Sequence, residues 1–254
     1  MSWVSPDDSP DGLAGTLETR AELLAVLTDE PREKGALREE LGVARSTVYK
    51  GIRELAALGL VRETDDGYAL TALGRLGRGA HERYHDRLTD LSAARSVLAD
   101  VPADAGVPGA FVADATVATA DRNAPERPLA TFESAVEDAD CIRTLSPAAL
   151  PRYMDDLHED VVTGEVRELV VERPAAAALE ASYDEFDAAV AAGLDVYTIA
   201  EPLPFGLTLF DEESAALTTY EEGGVSGILL SDAPEAYAWG VETYENYRNR
   251  GEKL

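Results

Sequence analysis

The run His81-Glu82-Arg83-Tyr84-His85 has the most recognisable spacing for chemistry. Two imidazoles four residues apart share one face of a helix, where they can hold zinc while Glu82 serves as the base of a metal-dependent hydrolase. That chemistry needs a third ligand nearby. The third histidine, His158, is far away in sequence, and five residues with two free positions match by chance easily. His81 and His85 therefore remain metal candidates beside the plainer reading of a solvated helix face, and no metal or cofactor is assigned. With only 3 His in 254 residues, no Ser/His/Asp set is evident. Gly223-Gly224 reads as a hairpin turn rather than a phosphate cradle. The chain is not expected to be an enzyme.

A second constellation is Arg45, Ser46, Thr47, Tyr49, Lys50 and Arg53. Val48, Ile52 and Leu55 fall at i, i+4 and i+7, one buried stripe of a helix over residues 44–58. The six polar residues then face outward. They offer donors and two-way hydroxyls, which suit base edges and phosphate oxygens. With Arg62, residues 42–62 hold four basic side chains against one acid, Glu54. Asp65 and Asp66 follow at a turn and would repel phosphate.

A third set lies further on. Arg143 and Arg152 are cations among many acids. They either pair with buried carboxylates or bind an anionic ligand such as a phosphorylated or carboxylated metabolite. Ser146, Phe205 and Asp211 are candidates for the same cleft, where strand ends converge. The plainer readings are a helix start at Ser146-Pro147 and a core aromatic at Phe205. Trp239, Tyr244 and Tyr247 have helical spacing and read as core or dimer contacts.

Elements must position these sets. Residues 1–15, rich in Ser, Pro, Asp and Gly, read as a mobile tail. A helical period starts at Thr16 with Leu17, Leu23, Leu24 and Leu27 on one face. Pro31 breaks it and opens a helix carrying Leu37 and Leu41, and Gly42-Val43 form a tight turn. After the helix over 44–58, Gly59 suits a left-handed cap. Strands near 60–63 and 68–70 join through Asp65-Asp66-Gly67, a hairpin signal. Thr71 caps a helix running to about Leu98, in which Gly74, Gly77 and Gly79 allow close packing or a bend. Residues 100–109, with Pro102 and Pro108, read as a linker. Beyond it, an apolar run at 110–119 and strands near 141–145 and 168–171 alternate with helices near 129–139, 147–163 and 175–192. Strands near 196–200, 207–210, 215–220 and 227–230 and a helix over 234–250 complete the chain. Such alternation predicts an α/β layer fold with an antiparallel portion.

Composition bounds the function. The formal charge is −27, from 49 acidic and 22 basic residues. Residues 1–100 hold 13 basic and 18 acidic side chains, a net of −5, which leaves −22 for residues 101–254. Any polyanion binding therefore belongs to the first part. Only Lys34, Lys50 and Lys253 are lysines, and an acidic, Lys-poor chain resembles proteins of salt-in halophiles, whose self-repulsion is screened in molar salt. One cysteine, Cys141, excludes an intrachain disulfide. The first eight residues lack signal-peptide character and no apolar run reaches about 18 residues, so a cytoplasmic location is expected, with no membrane partner.

The run Leu41-Gly42-Val43-Ala44-Arg45-Ser46-Thr47-Val48-Tyr49, followed by Leu55 and Leu58-Gly59-Leu60-Val61, resembles archaeal ArsR-like winged-helix regulators. Some of these sense metals across a helix like that at 71–98. Residues 110–250 resemble the C-terminal domain of archaeal regulators of the methanogen-filamentation type. The matching residues are Arg143-Thr144-Leu145-Ser146-Pro147, Pro204-Phe205-Gly206-Leu207 with Asp211, Gly227 to Ser231, and Trp239 with Tyr244 and Tyr247. The resemblance implies a winged helix paired with an α/β domain distantly similar to phospholipase D-like and sugar-sensing domains. A phospholipase D-like hydrolase needs a His-x-Lys motif. His158-Glu159-Asp160 does not supply one, and no lysine lies between Lys50 and Lys253.

The resulting expectation is an α+β winged helix-turn-helix domain (16–70), a connecting and dimerisation helix (71–100) and an α/β effector-sensing domain (101–254). It describes a homodimeric, sequence-specific regulator of double-stranded DNA that responds to a small molecule, with dimer surfaces on the 71–98 helix and the last helix. A protein-binding adaptor and a metal-responsive regulator remain the alternatives.

Overall fold

A computed structural model describes residues 9–28, 30–137, 139–149, 166–182, 186–221 and 224–254. The chain divides into two compact units, Met1–Leu88 and Thr89–Leu254. The fold is mixed α/β.

The first unit runs α1 (Pro10–Thr19), α2 (Ala21–Val26), α3 (Lys34–Leu41), α4 (Arg45–Ala57), β1 (Val61–Thr64), β2 (Gly67–Leu70) and the start of α5 (Ala72–Ala99). Helix α1 opens inside the stretch expected to be a tail. Ser9 caps it by accepting from Gly12 N at 3.1 Å, Pro10 takes the first helical position and Asp11 sits in the first turn. Those are ordinary helix-start residues, so composition was the wrong guide there. The core gathers Leu17, Leu23, Leu24, Leu27, Leu37, Val48, Ile52, Leu55, Leu60, Val61, Tyr68 and Leu70. Each such buried aliphatic side chain contributes about 1.5–3 kcal/mol.

The hairpin β1–β2 is antiparallel, pairing Val61 with Leu70 and Thr64 with Gly67. Arg32 adds a one-residue bridge, exchanging backbone hydrogen bonds with Tyr68 at 2.9 Å each. Thr71 caps α5, its hydroxyl accepting from Gly74 N at 3.0 Å. The glycine at 74 has a packing reason: a Cβ there would collide with the backbone carbonyl of Leu60.

The second unit starts earlier than the expected linker. Ala94 and Val97, in the last third of α5, are buried in its core. The stretch 100–109 is likewise packed rather than free: Val101, Ala105 and Val107 lie against that core, and Trp239 Nε1 donates to Ala105 O at 3.2 Å. Its elements are β3 (Thr116–Thr119), α6 (Arg127–Glu137), β4 (Cys141–Ser146), β5 (Val166–Glu172), α7 (Arg173–Ser182), α8 (Phe186–Ala192), β6 (Asp195–Ile199), β7 (Gly206–Phe210), β8 (Ser214–Glu221), β9 (Gly224–Ser231), α9 (Pro234–Arg248) and β10 (Glu252–Lys253). Of the helix expected over 175–192, the described residues form α7 and α8, and 183–185 lie outside the described residues. The helix expected near 147–163, with Arg152 and His158, lies largely outside the described residues.

These strands form one eight-stranded sheet in the order β10-β6-β5-β4-β7-β8-β9-β3. β4, β5 and β6 are parallel, while β7, β8 and β9 form an antiparallel meander. Alternation along each strand separates two faces. Leu145, Val170, Leu207, Leu209, Leu217 and Leu229 meet α9 and the end of α5. Ile142, Phe210, Ala216 and Ile228 meet α6, and Leu169, Val171 and Val196 meet α7 and α8. No described helix is long and apolar enough to cross a membrane.

Candidate nucleic-acid interface

Helix α4 is presented by its sequence. Gly42 ends α3 at φ 64°, a left-handed conformation that glycine adopts without strain, and turns the chain into α4 within three residues. Val48, Gly51, Ile52 and Leu55 are buried. Gly51 brings α4 close to α2, since a Cβ there would lie 2.6 Å from Leu23 Cδ2. The opposite face carries Arg45, Ser46, Thr47, Tyr49, Lys50 and Arg53, and all six are exposed. Arg62 is exposed on β1, and so are Asp65 and Asp66 at the hairpin tip. All seven residues expected to contact DNA are thus solvent-facing, six of them on one helix.

Contacts from neighbouring elements modify the sequence tally. Glu54, the one acid in the segment, receives Arg20 Nε at 2.7 Å, and Lys50 lies 3.9 Å away. Its charge is therefore largely answered from α2's start. Lys34, which sequence reading did not select, joins from the first turn of α3. Its ammonium sits 4.0 Å from the Tyr49 ring centroid and 4.6 Å from that of Tyr68, with Arg45 on Tyr49 at 5.7 Å. Hydrogen bonding and attraction from Lys34 hold the Tyr49 phenol below its ordinary value. Burial raises that of Tyr68, whose hydroxyl donates to Glu63 Oε1 at 2.6 Å. No local pattern marks Lys34, because its partners lie 15 and 34 residues away.

The expected ligand cleft is not assembled as a unit. Arg143 faces α9: it donates to Tyr237 Oη at 2.8 Å, approaches Glu245 at 3.5 Å and stacks on Tyr244 at 5.6 Å. It is a paired arginine, and its carboxylate partner Glu245 is partly exposed rather than buried. Ser146 points to the other face of β4 and donates to Ala148 O at 2.8 Å. Phe205 is buried against Trp239 on α9's side. Asp211 lies at the opposite end of β4 from Ser146, where its carboxylate accepts from Cys141 N at 2.7 Å. The register pairing Ile142 with Phe210 and Leu145 with Leu207 keeps Asp211 and Phe205 at opposite ends of β7. Alternation along β4 already separates Arg143 from Ser146, whereas the β4–β7 register that parts Phe205 from Asp211 is not carried by sequence spacing. Arg152 lies outside the described residues. Among the described residues, a shallow groove between α6 and the β3–β9 edge is lined by Thr116, Arg127, Thr131, Ser134 and Leu230.

The other sequence candidates, His81 and His85, meet Glu18 of α1. Trp239, Tyr244 and Tyr247 belong to the core beneath α9.

Two family models match parts of the chain. Residues 125–250 match "Methanogenesis regulatory protein FilR1, middle domain", and residues 12–94 match "HVO_A0261 N-terminal domain". Each spans just under half of the chain or less. No curated protein matches it. Among solved structures, TrmBL2, an archaeal chromatin protein, is 14% identical with a TM-score of 0.45, covering 97% of this chain and 100% of its own. Nuc from Salmonella typhimurium, a phospholipase D family member, is 14% identical with a TM-score of 0.43, over 55% of this chain and 98% of its own. NucT from Helicobacter pylori is 8% identical with a TM-score of 0.42, over 55% and 98%. Likenesses of this strength fix neither fold nor function.

Proposed function

We propose that the chain is a DNA-binding transcription regulator, whose first unit is a winged helix-turn-helix with α4 as its reading helix. The observation that carries this is the exposed face of α4. It bears Arg45, Ser46, Thr47, Tyr49, Lys50 and Arg53 on a molecule of net charge −27, with Glu54 answered by Arg20. A helix packed on one side, with hydroxyls and cations in its first turns, suits the major groove and its flanking phosphates. The match of residues 125–250 to a domain of a regulatory protein supports the same reading. The acidic hairpin tip keeps β1–β2 off the backbone except through Arg62 at its base. We read the second unit as a sensor for a small effector rather than an enzyme, because the sequence offers no His-x-Lys motif of the kind a phospholipase D-like hydrolase needs.

The regulator acts as a homodimer in this reading. Leu73, Leu76, Tyr84, Leu88 and Leu91 lie along one side of α5 and are exposed, Leu76 at 73%. Large apolar side chains repeated at helical spacing on a long helix suit a second copy of the same helix. Two copies would read paired half-sites.

The deciding measurement is a mobility shift on the chain's own promoter region. Arg45→Ala with Lys50→Ala should weaken binding, and each lost phosphate contact should reduce the salt slope by about one. Unchanged affinity in the double variant would count decisively against α4 as the reading helix.

A further inference from the structure

Glu18 on α1 and His81 and His85 on successive turns of α5 bring three metal-ligand atoms within 4.8 Å of one another. All three belong to the first unit. His85 Nε2 lies 2.9 Å from Glu18 Oε2, and His81 Nδ1 lies 3.8 Å from the same oxygen. The imidazoles meet edge to face at 4.5 Å between centroids. A tetrahedral ion with bonds of about 2.0–2.2 Å sets its ligand atoms roughly 3.3–3.6 Å apart. The two separations from Glu18 bracket that value and the third pair lies within 4.8 Å, so rotamer adjustments of these side chains would close the ligands on an ion.

We propose that Glu18, His81 and His85 bind one divalent cation of the zinc class, with water completing its coordination. Two imidazole nitrogens and one carboxylate suit zinc and its late first-row neighbours, whereas magnesium and calcium prefer all-oxygen sites. The side chain of His81 is only 11% exposed and forms the floor, while Glu18 at 59% and His85 at 49% leave the mouth open to solvent. Glu82, the residue that a hydrolytic site would use as base, lies 3.6 Å from Arg78 and is not among the three. The site is therefore a clasp between α1 and α5 rather than a hydrolytic centre. An ion bound there favours the folded first unit, because unfolding separates Glu18 from the two histidines.

The test uses the full chain, stripped of metal and titrated with zinc sulfate by calorimetry in molar KCl and excess magnesium, which occupies the diffuse acidic surface. One zinc per chain is expected, with Glu18→Gln and His85→Gln each weakening binding at least about tenfold. Both positions are half exposed, and circular dichroism checks that the variants stay folded. Cobalt in place of zinc should give visible d–d bands without a thiolate charge-transfer band, which separates this site from Cys141. Absence of zinc binding under these conditions overturns the proposal, and so does wild-type affinity in either variant. No DNA enters the measurement, so its failure leaves the regulator reading intact.

Discussion

Tyr244 illustrates how single side chains hold the second unit together. It is fully buried, donates to Glu168 Oε2 at 3.2 Å, and shares that carboxylate with Arg248. Burial first, and then the nearby Glu168 charge, push its phenol well above the ordinary tyrosine value. The folded value is raised, so the stability linked to this group is whole below the unfolded tyrosine value of about 10 and is lost as pH climbs above it. Urea midpoints of the wild type should therefore fall steeply between roughly pH 9.5 and 11. Tyr244→Phe should be less stable at neutral pH by about 0.5–1.5 kcal/mol, yet show a shallower alkaline loss. Parallel curves for the two proteins would contradict this account. At the same scale, the outward face of α4 was legible in the sequence, because a helix of known phase fixes which side chains share a side. Glu18 and Lys34 were not, since they reach their partners through the packing of α1 and α3.

Among the elements, α5 carries the most conflicting demands. Its first turn packs so tightly on Leu60 that only glycine fits at 74. Gly74→Ala should cost about 1–3 kcal/mol, as overpacking against a backbone does, read from the denaturation midpoint. The same change at Gly79, where a Cβ would approach only the end of Arg83, should be neutral or mildly stabilising. On its apolar side, the proposed pairing predicts a dimeric wild type in sedimentation velocity, and Leu76→Glu with Tyr84→Glu should make it monomeric with helix content unchanged. A double variant that remains dimeric would move the dimer contact elsewhere. Periodicity announced this helix to within a residue or two, from Thr71 to Leu98 in sequence against Ala72–Ala99 in the structure. It could not announce that the helix serves both cores. Pro102 and Pro108 looked like a boundary because proline ends helices, yet the compact units part within α5, and the proline segment is packed.

For the whole molecule, charge is the dominant quantity. A net −27 on 254 residues implies strong self-repulsion in dilute buffer. Since the Debye length falls to about 3 Å at 1 M salt, thermal midpoints should rise from low to molar KCl. DNA affinity should fall over the same range through lost counterion release. A midpoint independent of KCl would show that the acidic surface is not limiting stability. The layered α/β plan was legible from strand–helix alternation, and the meander at β7–β9 from its closely spaced apolar runs. The separation of Phe205 from Asp211 was not, because which residues converge depends on register across the sheet.

The sheet's margin beside β6 is covered by two charged residues, Glu252 and Lys253, the whole of β10. Lys253 lies 2.5 Å from Asp195 and Glu252 pairs with Arg173 at 2.8 Å, while Leu254 N donates to Val196 O. An uncovered strand invites another chain to add itself. Glu252 and Lys253 thus guard that margin: substitutions that break their pairing would offer β6 as a template for stacking one molecule onto the next.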